Sequence, residues 1–195
     1  MGIDADYQAI PYQPLLERAL HDKDVAEMLQ FFRRLGTDDL SKTPHEHDPI
    51  WLQLSLDVRQ VVSQRPGLLE RTLGTRAWDA VYWLLSPDRR EEAERNPTGL
   101  AEIAVFGAEP FPCGAVTTQG FPLQFVRPTT AGAVADYVES MLDSARDVFD
   151  PEAMAASGVY KSPWDRDYVL KLLTEYAQLY RIAADLDECV LVALD

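Results

Sequence analysis

Length, composition and charge set the first limits on what this chain can be. Its 195 residues are 47% hydrophobic and 10% aromatic, enough apolar surface to build the core of one folded domain spanning residues 1–195. The net charge of −14 argues against binding to nucleic acids, polyphosphates or anionic membranes, because each of these requires a basic surface.

The same sequence predicts a cytoplasmic location. No stretch approaches the roughly 18 to 20 consecutive apolar residues of a membrane span, and the acidic start of the chain does not resemble a basic signal peptide. The two cysteines, Cys113 and Cys189, are too few for a disulfide framework and are typical of a reducing compartment.

The N-terminal half reads as one strand followed by helices. Apolar and polar residues alternate over residues 3–9, the period of a strand with one buried face. Helical spacing follows over 15–20, and further helices are predicted at 25–35, 50–62 and 77–85. Pro66 can open a short helix that reaches Thr72, and Thr75 can cap the helix after it.

The middle of the chain is irregular. Residues 37–49 form a predicted loop in which His45-Glu46-His47-Asp48 is the one cluster of metal-ligand residue types. We interpret it as a polar surface loop, with a metal site as the alternative. The mixed charges of 88–96 predict a solvated surface, and short strands are predicted at 103–106 and 123–126.

The last third has the clearest patterns. A helix after Pro128, capped by Thr129 or Thr130, is predicted from its apolar stripe. Asp150-Pro151-Glu152 predicts a short helix that stops at Gly158. Ser162-Pro163 predicts the cap of a helix of about five turns, and 189–194 is continuously apolar, as in a central strand with both faces covered.

Together these elements predict an α+β fold. We expect a single compact domain in which a mixed sheet, including the N- and C-terminal strands, packs against several helices.

Catalytic signatures are missing from the sequence. It contains no nucleophile elbow, phosphate-binding loop, dinucleotide fingerprint or zinc-protease motif, so we expect neither a cofactor nor catalytic residues, and we interpret Cys113 as structural. The candidate ligand site is aromatic: Trp78, Tyr82, Tyr160 and Trp164 could line a pocket. The alternative is that these rings are ordinary core and loop anchors.

Several segments resemble one family. Residues 149–154, 158–160 and 190–194, with Trp164 and the helix around Trp78-Asp79-Ala80-Val81-Tyr82-Trp83, resemble the YfbM-like family of bacterial proteins, domain of unknown function 1877. The resemblance implies a cytoplasmic α+β domain with no established activity, so it implies no catalytic residues.

Two functional hypotheses remain. The first is a non-enzymatic binding or interaction module, such as an acidic antagonist of the immunity type that covers a basic toxin. The alternative is an enzyme or ligand-binding protein that takes a small molecule near the four aromatic residues. Either could act as a monomer or a small homo-oligomer.

Overall fold

A five-stranded sheet lies between two layers of helices in the computed structural model, which describes residues 2–37, 48–86 and 99–195. The order across the sheet is β2-β1-β5-β4-β3, and each of these pairings is antiparallel. The strands are β1 (Ala5–Pro11), β2 (Thr72–Thr75), β3 (Glu109–Pro110), β4 (Gln124–Val126) and β5 (Glu188–Leu194).

The helices divide between the two faces of the sheet. In chain order they are α1 (Glu17–Ala19), which continues a helical turn at Tyr12–Leu16, α2 (Lys23–Leu29), α3 (Phe32–Gly36), α4 (Pro49–Gln64), α5 (Trp78–Leu85), α6 (Leu100–Phe106), α7 (Pro128–Val148), α8 (Pro151–Ala156) and α9 (Arg166–Asp185), with a 3₁₀ turn at Leu68–Glu70. Helices α5, α6, α7 and α9 cover the face that carries Tyr7, and α2, α3 and α4 cover the face that carries Leu191.

The predicted terminal strands are confirmed, and β5 is the central strand. Its neighbours β1 and β4 occupy both of its edges, and side chains from its two faces, such as Val190 and Leu191, enter opposite cores. Burial on both faces explains the continuous apolar run. Such a run does not encode strand direction, and the sheet predicted as mixed is antiparallel in every pairing of the described residues.

The long helices of the last third are confirmed, but two of their predicted caps are wrong. Pro128 begins α7 without a side-chain cap from the threonines that follow it. The cap of α9 is Asp165, which accepts a hydrogen bond from the Tyr168 amide at 2.8 Å, because the helix begins at Arg166, four residues after Ser162. Asp150 caps α8 as predicted.

The predicted strand at 103–106 is wrong, since these residues belong to α6. The buried residues Ala101, Ala104 and Val105 follow the helical spacing i, i+3, i+4, and a window of four apolar residues could not reveal that period. Gly107 ends the helix with φ of +85°.

Two further corrections concern α2, α3 and β2. The helix predicted at 25–35 is interrupted at Phe31, whose φ and ψ of −100° and 27° are not helical. The short helix predicted from Pro66 to Thr72 is only the 3₁₀ turn at Leu68–Glu70, and Thr72 begins β2. This strand was missed because its four residues include a glycine and gain their stability from pairing with β1.

Two predicted features lie outside the described residues. These are the mixed-charge run at 88–96 and most of the His45-Glu46-His47-Asp48 cluster. Asp48 is described, and its carboxylate caps α4 by accepting from the Ile50 amide at 2.8 Å. Among the helices described here, none has the length and apolar character needed to cross a membrane.

Candidate functional site

The aromatic residues Trp78 and Tyr82 lie in the core. They are 8% and 1% exposed, and both pack edge-on against Phe106 at centroid distances of 5.8 and 5.1 Å. The Tyr82 hydroxyl donates to buried Glu102 at 2.5 Å. Both rings therefore hold α5 against α6.

Tyr160 and Trp164 continue the same aromatic group toward the surface. Tyr160 stacks on Trp78 at 5.8 Å, and its hydroxyl accepts from the Ile3 amide at 2.8 Å. The indole of Trp164 donates to the Tyr160 carbonyl at 2.9 Å. Trp78, Tyr160 and Trp164 thus contact one another in sequence, and Tyr82 is linked to them through Phe106. Trp164 lines a depression described below.

Three neighbouring surface depressions share one residue, Asp6. Their volumes are about 510, 470 and 360 Å³, and we name them together the Asp6 groove. The first lies over the sheet between β5 and α3, and the second follows the edge of β2 between α3 and α9. The third is bordered by Trp164 and Arg76.

Asp6 stands among other charges in this groove. Loss of solvent around the carboxyl group raises its pKa, and the nearby carboxylates of Asp4 and Asp195 raise it further, whereas Arg33 acts in the opposite direction. Asp4 is already paired with Arg76 at 2.8 Å. No ion pair of Asp6 is formed within the described part of the chain, so a cation entering the groove would find this carboxylate available.

The groove also contains an unsatisfied polar atom. Gln8 is 7% exposed, and its side-chain amide donates to the carbonyls of Leu68 and Arg71 at 3.0 and 3.2 Å. Its Oε1 atom has no hydrogen-bond partner among the described residues. Gln8 lines the largest of these three depressions, but its Oε1 atom is itself buried, so a ligand would reach this acceptor only after the side chain moves.

A second group of charged residues has a structural role. Glu188 is completely buried and accepts from Arg71 at 2.8 Å and from Arg65 at 3.2 Å. Both arginines come from the segment between α4 and β2, so the pairs hold that segment to the start of β5. No three His, Cys, Asp or Glu side chains in the described ranges are grouped so that they could hold a metal ion.

The cysteines do not form a reactive site. Burial raises the pKa of Cys189 to about 12, which keeps its thiol protonated and weakly nucleophilic. Cys113 is half-buried and donates to the Ala19 carbonyl at 3.4 Å, a contact that supports the structural interpretation made from the sequence.

An acidic stripe runs along the exposed side of α7. Asp136, Glu139, Asp143 and Asp147 follow one another at i, i+3, i+7 and i+11, and all four are exposed. Arg181 of α9 pairs with the first two. Asp143 and Asp147 form no ion pair within the described ranges, so like charges four residues apart repel each other along this helix.

Sequence reasoning found only an overall excess of acidic residues, and it identified neither the stripe nor the Asp6 groove. The signal for the groove was the polar side of the first strand, where Asp4, Asp6 and Gln8 alternate with buried residues. Gly74 and Asp195 complete the site from distant positions, and nothing in their local sequence indicates that they meet Asp6.

Comparison with known proteins identifies the family of this chain but no activity. The model of the family described as "Domain of unknown function (DUF1877)" matches residues 1–193. No curated protein and no solved structure matches the chain. Since the family model covers nearly the whole sequence, the chain belongs to the DUF1877 family.

Proposed function

We propose that this protein is a non-enzymatic interaction module that binds a basic protein partner, as an antagonist of the immunity type does. The observation that carries the proposal is the acidic stripe on α7. Repulsion between carboxylates at i and i+4 costs folding free energy, about 0.2–0.5 kcal/mol for each pair. A cationic surface relieves this repulsion on binding and is steered toward the stripe before contact.

The Asp6 groove supports binding over catalysis. Its depressions are open to solvent, and its carboxylates and arginines are arranged as charge pairs and neighbours, with no nucleophile held against a base among the described residues. The excess of eight negative charges in residues 128–195 adds to the attraction for a basic partner. In this proposal the protein acts in the cytoplasm of a bacterium.

Affinity capture with two matched double variants tests the proposal. Asp143→Asn with Asp147→Asn removes the unpaired half of the stripe, and Glu17→Gln with Asp24→Asn removes the same charge from exposed positions on α1 and α2. We expect a basic protein from the source cells to bind wild type and control at low ionic strength, to be released by salt, and to be lost by the stripe variant.

Thermal unfolding of the same variants gives an independent readout. The stripe variant should melt at a higher temperature than wild type because the repulsion has been removed, whereas the control should not. The proposal is wrong if no basic protein is captured, or if the stripe variant and the control capture it equally.

A second candidate function is small-molecule binding in the Asp6 groove, favoured by the Asp6 carboxylate, which has no ion pair among the described residues, and by Trp164 at the rim. A ligand that binds the native state raises the melting temperature. A metabolite panel measured on wild type, Asp6→Asn and Trp164→Ala would reveal such a ligand as a stabilisation that both variants reduce. A flat panel would leave the protein partner as the function to pursue.

A further inference from the structure

The outer edge of β2 carries backbone groups that the sheet does not use. In an antiparallel pair, residues bonded to the neighbouring strand alternate with residues whose N–H and C=O point away. The Ala9 amide donates to the Arg71 carbonyl at 2.9 Å, which sets the phase of this alternation: Leu73 bonds to β1, and Thr72 and Gly74 turn outward. Among the residues described, no backbone hydrogen bond engages these outward groups.

No other described strand covers this edge, whereas the opposite edge of the sheet is protected. There, β3 has only two residues, one of them Pro110, and short strands with proline resist further pairing. The edge of β2 instead lines the second depression of the groove. Arg33 stands on one side of it, and Gln178 and Ile182 of α9 stand on the other.

Gly74 makes Asp6 reachable from this edge. The two residues are directly paired across β1 and β2, so their side-chain positions share one face of the sheet. A Cβ atom on Gly74 would lie 2.7 Å from the Asp6 carboxylate. Because Gly74 has no side chain, β2 itself places nothing between the Asp6 carboxylate and a strand added beyond β2.

The negative charge of Asp6 and the spacing between strands indicate which kind of segment could bind beside β2. A strand added beside β2 would place its residue opposite Gly74 about 10 Å from the Asp6 Cα, since neighbouring strands are about 4.8 Å apart. A lysine or arginine at that position can extend over Gly74 and meet the carboxylate. The exposed side chains of Ile182 and Tyr168, which are 41% and 43% exposed, offer apolar contact on the α9 side.

We infer that β2 binds an extended segment of a basic protein as an additional strand, with a lysine or arginine of that segment directed over Gly74 to Asp6. The inference rests on the proposed function, because it names how a basic partner would be held. The two proposals differ in mechanism, because the stripe attracts a basic surface by charge, whereas the β2 edge forms main-chain hydrogen bonds with one segment of the partner.

The probe is a display library of random peptides about six residues long, the usual length of a strand. We expect selected peptides to contain a lysine or arginine within an extended, alternating sequence. In two-dimensional NMR, the selected peptide should shift the Thr72 and Gly74 amide resonances and protect these amides from exchange.

Chemical variants of the peptide test the strand pairing without altering the protein. Methylation of the alternate backbone nitrogens that face β2 should weaken binding about tenfold or more, because hydrogen bonds are lost. Methylation of the other set should have little effect. The inference would be overturned if both sets of methylated peptides lost affinity equally. It would also be overturned if the selected peptides lacked a basic residue, or if the selection enriched no peptide above background.

Protein variants test the role of Asp6. Asp6→Asn and Gly74→Thr should each reduce binding of the basic peptide, and replacing its lysine with alanine should remove the difference between wild type and variants. Folding of Gly74→Thr is expected because the atom it approaches is the end of a flexible side chain, and NMR reports it directly.

The stripe variant separates the two proposals. Asp143→Asn with Asp147→Asn should leave peptide binding at β2 unchanged while it loses the captured partner. If the partner is captured through the stripe but no peptide engages β2, the inference fails and the proposed function stands.

Discussion

The buried carboxylate of Glu188 gives a prediction whose size can be worked from the structure. Its side chain is 0% exposed, and those of its partners Arg71 and Arg65 are 12% and 38% exposed. Breaking a buried ion pair by removing one partner costs about 3–5 kcal/mol, since the remaining charge stays in a poorly solvated site. Arg71→Met should therefore be destabilising, and methionine retains much of the packing volume.

The second arginine sets the expected magnitude. After Arg71→Met, Arg65 still neutralises part of the charge from 3.2 Å, so we expect the lower limit, about 3 kcal/mol. For a chain of this length that corresponds to a melting temperature lower by about 6–12 °C. Arg65→Met should cost only about 1 kcal/mol, because a half-exposed cation is already screened by solvent.

Urea unfolding of the two single variants and the double variant measures these values. The double variant should lose more free energy than the sum of the single losses, because it leaves Glu188 without a cation. Arg18→Met, which removes an exposed pair with Asp57, is the control and should change stability by less than about 1 kcal/mol. Equal losses for Arg65→Met and Arg71→Met would refute the argument from burial.

Three further predictions concern single positions. Because the pKa of Asp6 is raised in the folded protein, ionisation of this carboxyl group lowers the free energy of unfolding as pH rises from the ordinary pKa through the folded pKa. Asp6→Asn should therefore stabilise the protein at neutral pH, by less than about 1 kcal/mol, and raise its melting temperature. At about pH 3, where the carboxyl group is protonated in both states, the substitution should have no effect. In the native protein a thiol reagent should react with Cys113 but reach Cys189 only after unfolding, and equal rates would contradict the assigned burial. Gly107→Ala should cost at least about 2 kcal/mol in urea unfolding, because φ is +85° and the new Cβ would lie 2.5 Å from that of Gln124; a neutral substitution would show that the turn can relax.

Much of the fold was predictable from local patterns. The helices α7 and α9 have long apolar stripes, and helical periodicity over 20 residues is hard to produce by chance. The cap of α8 was predictable because Asp150 and Pro151 act on the amides directly beside them. The central position of β5 followed from its apolar run, since burial of both faces leaves no place for polar residues.

The candidate site was predicted less well, for a physical reason. Trp78, Tyr82, Tyr160 and Trp164 belong to one group of aromatic contacts with Phe106, but large aromatic rings serve equally well in a core and in a pocket. Only the packing of Trp78 and Tyr82 against Phe106 distinguishes the two uses. Whether the outer pair ever contacts a ligand stays a prediction.

The sequence by itself determined the α+β class, the two terminal strands and the helices of the last third, because periodicity, caps and continuous burial act between residues that are near in the chain. Tertiary structure alone decided that every pairing is antiparallel, that Thr72–Thr75 is a strand, and that Asp6 meets Gly74 and Asp195. Those contacts join segments about 15 to 190 residues apart, and their free energy comes from non-local pairing and burial that no local pattern records.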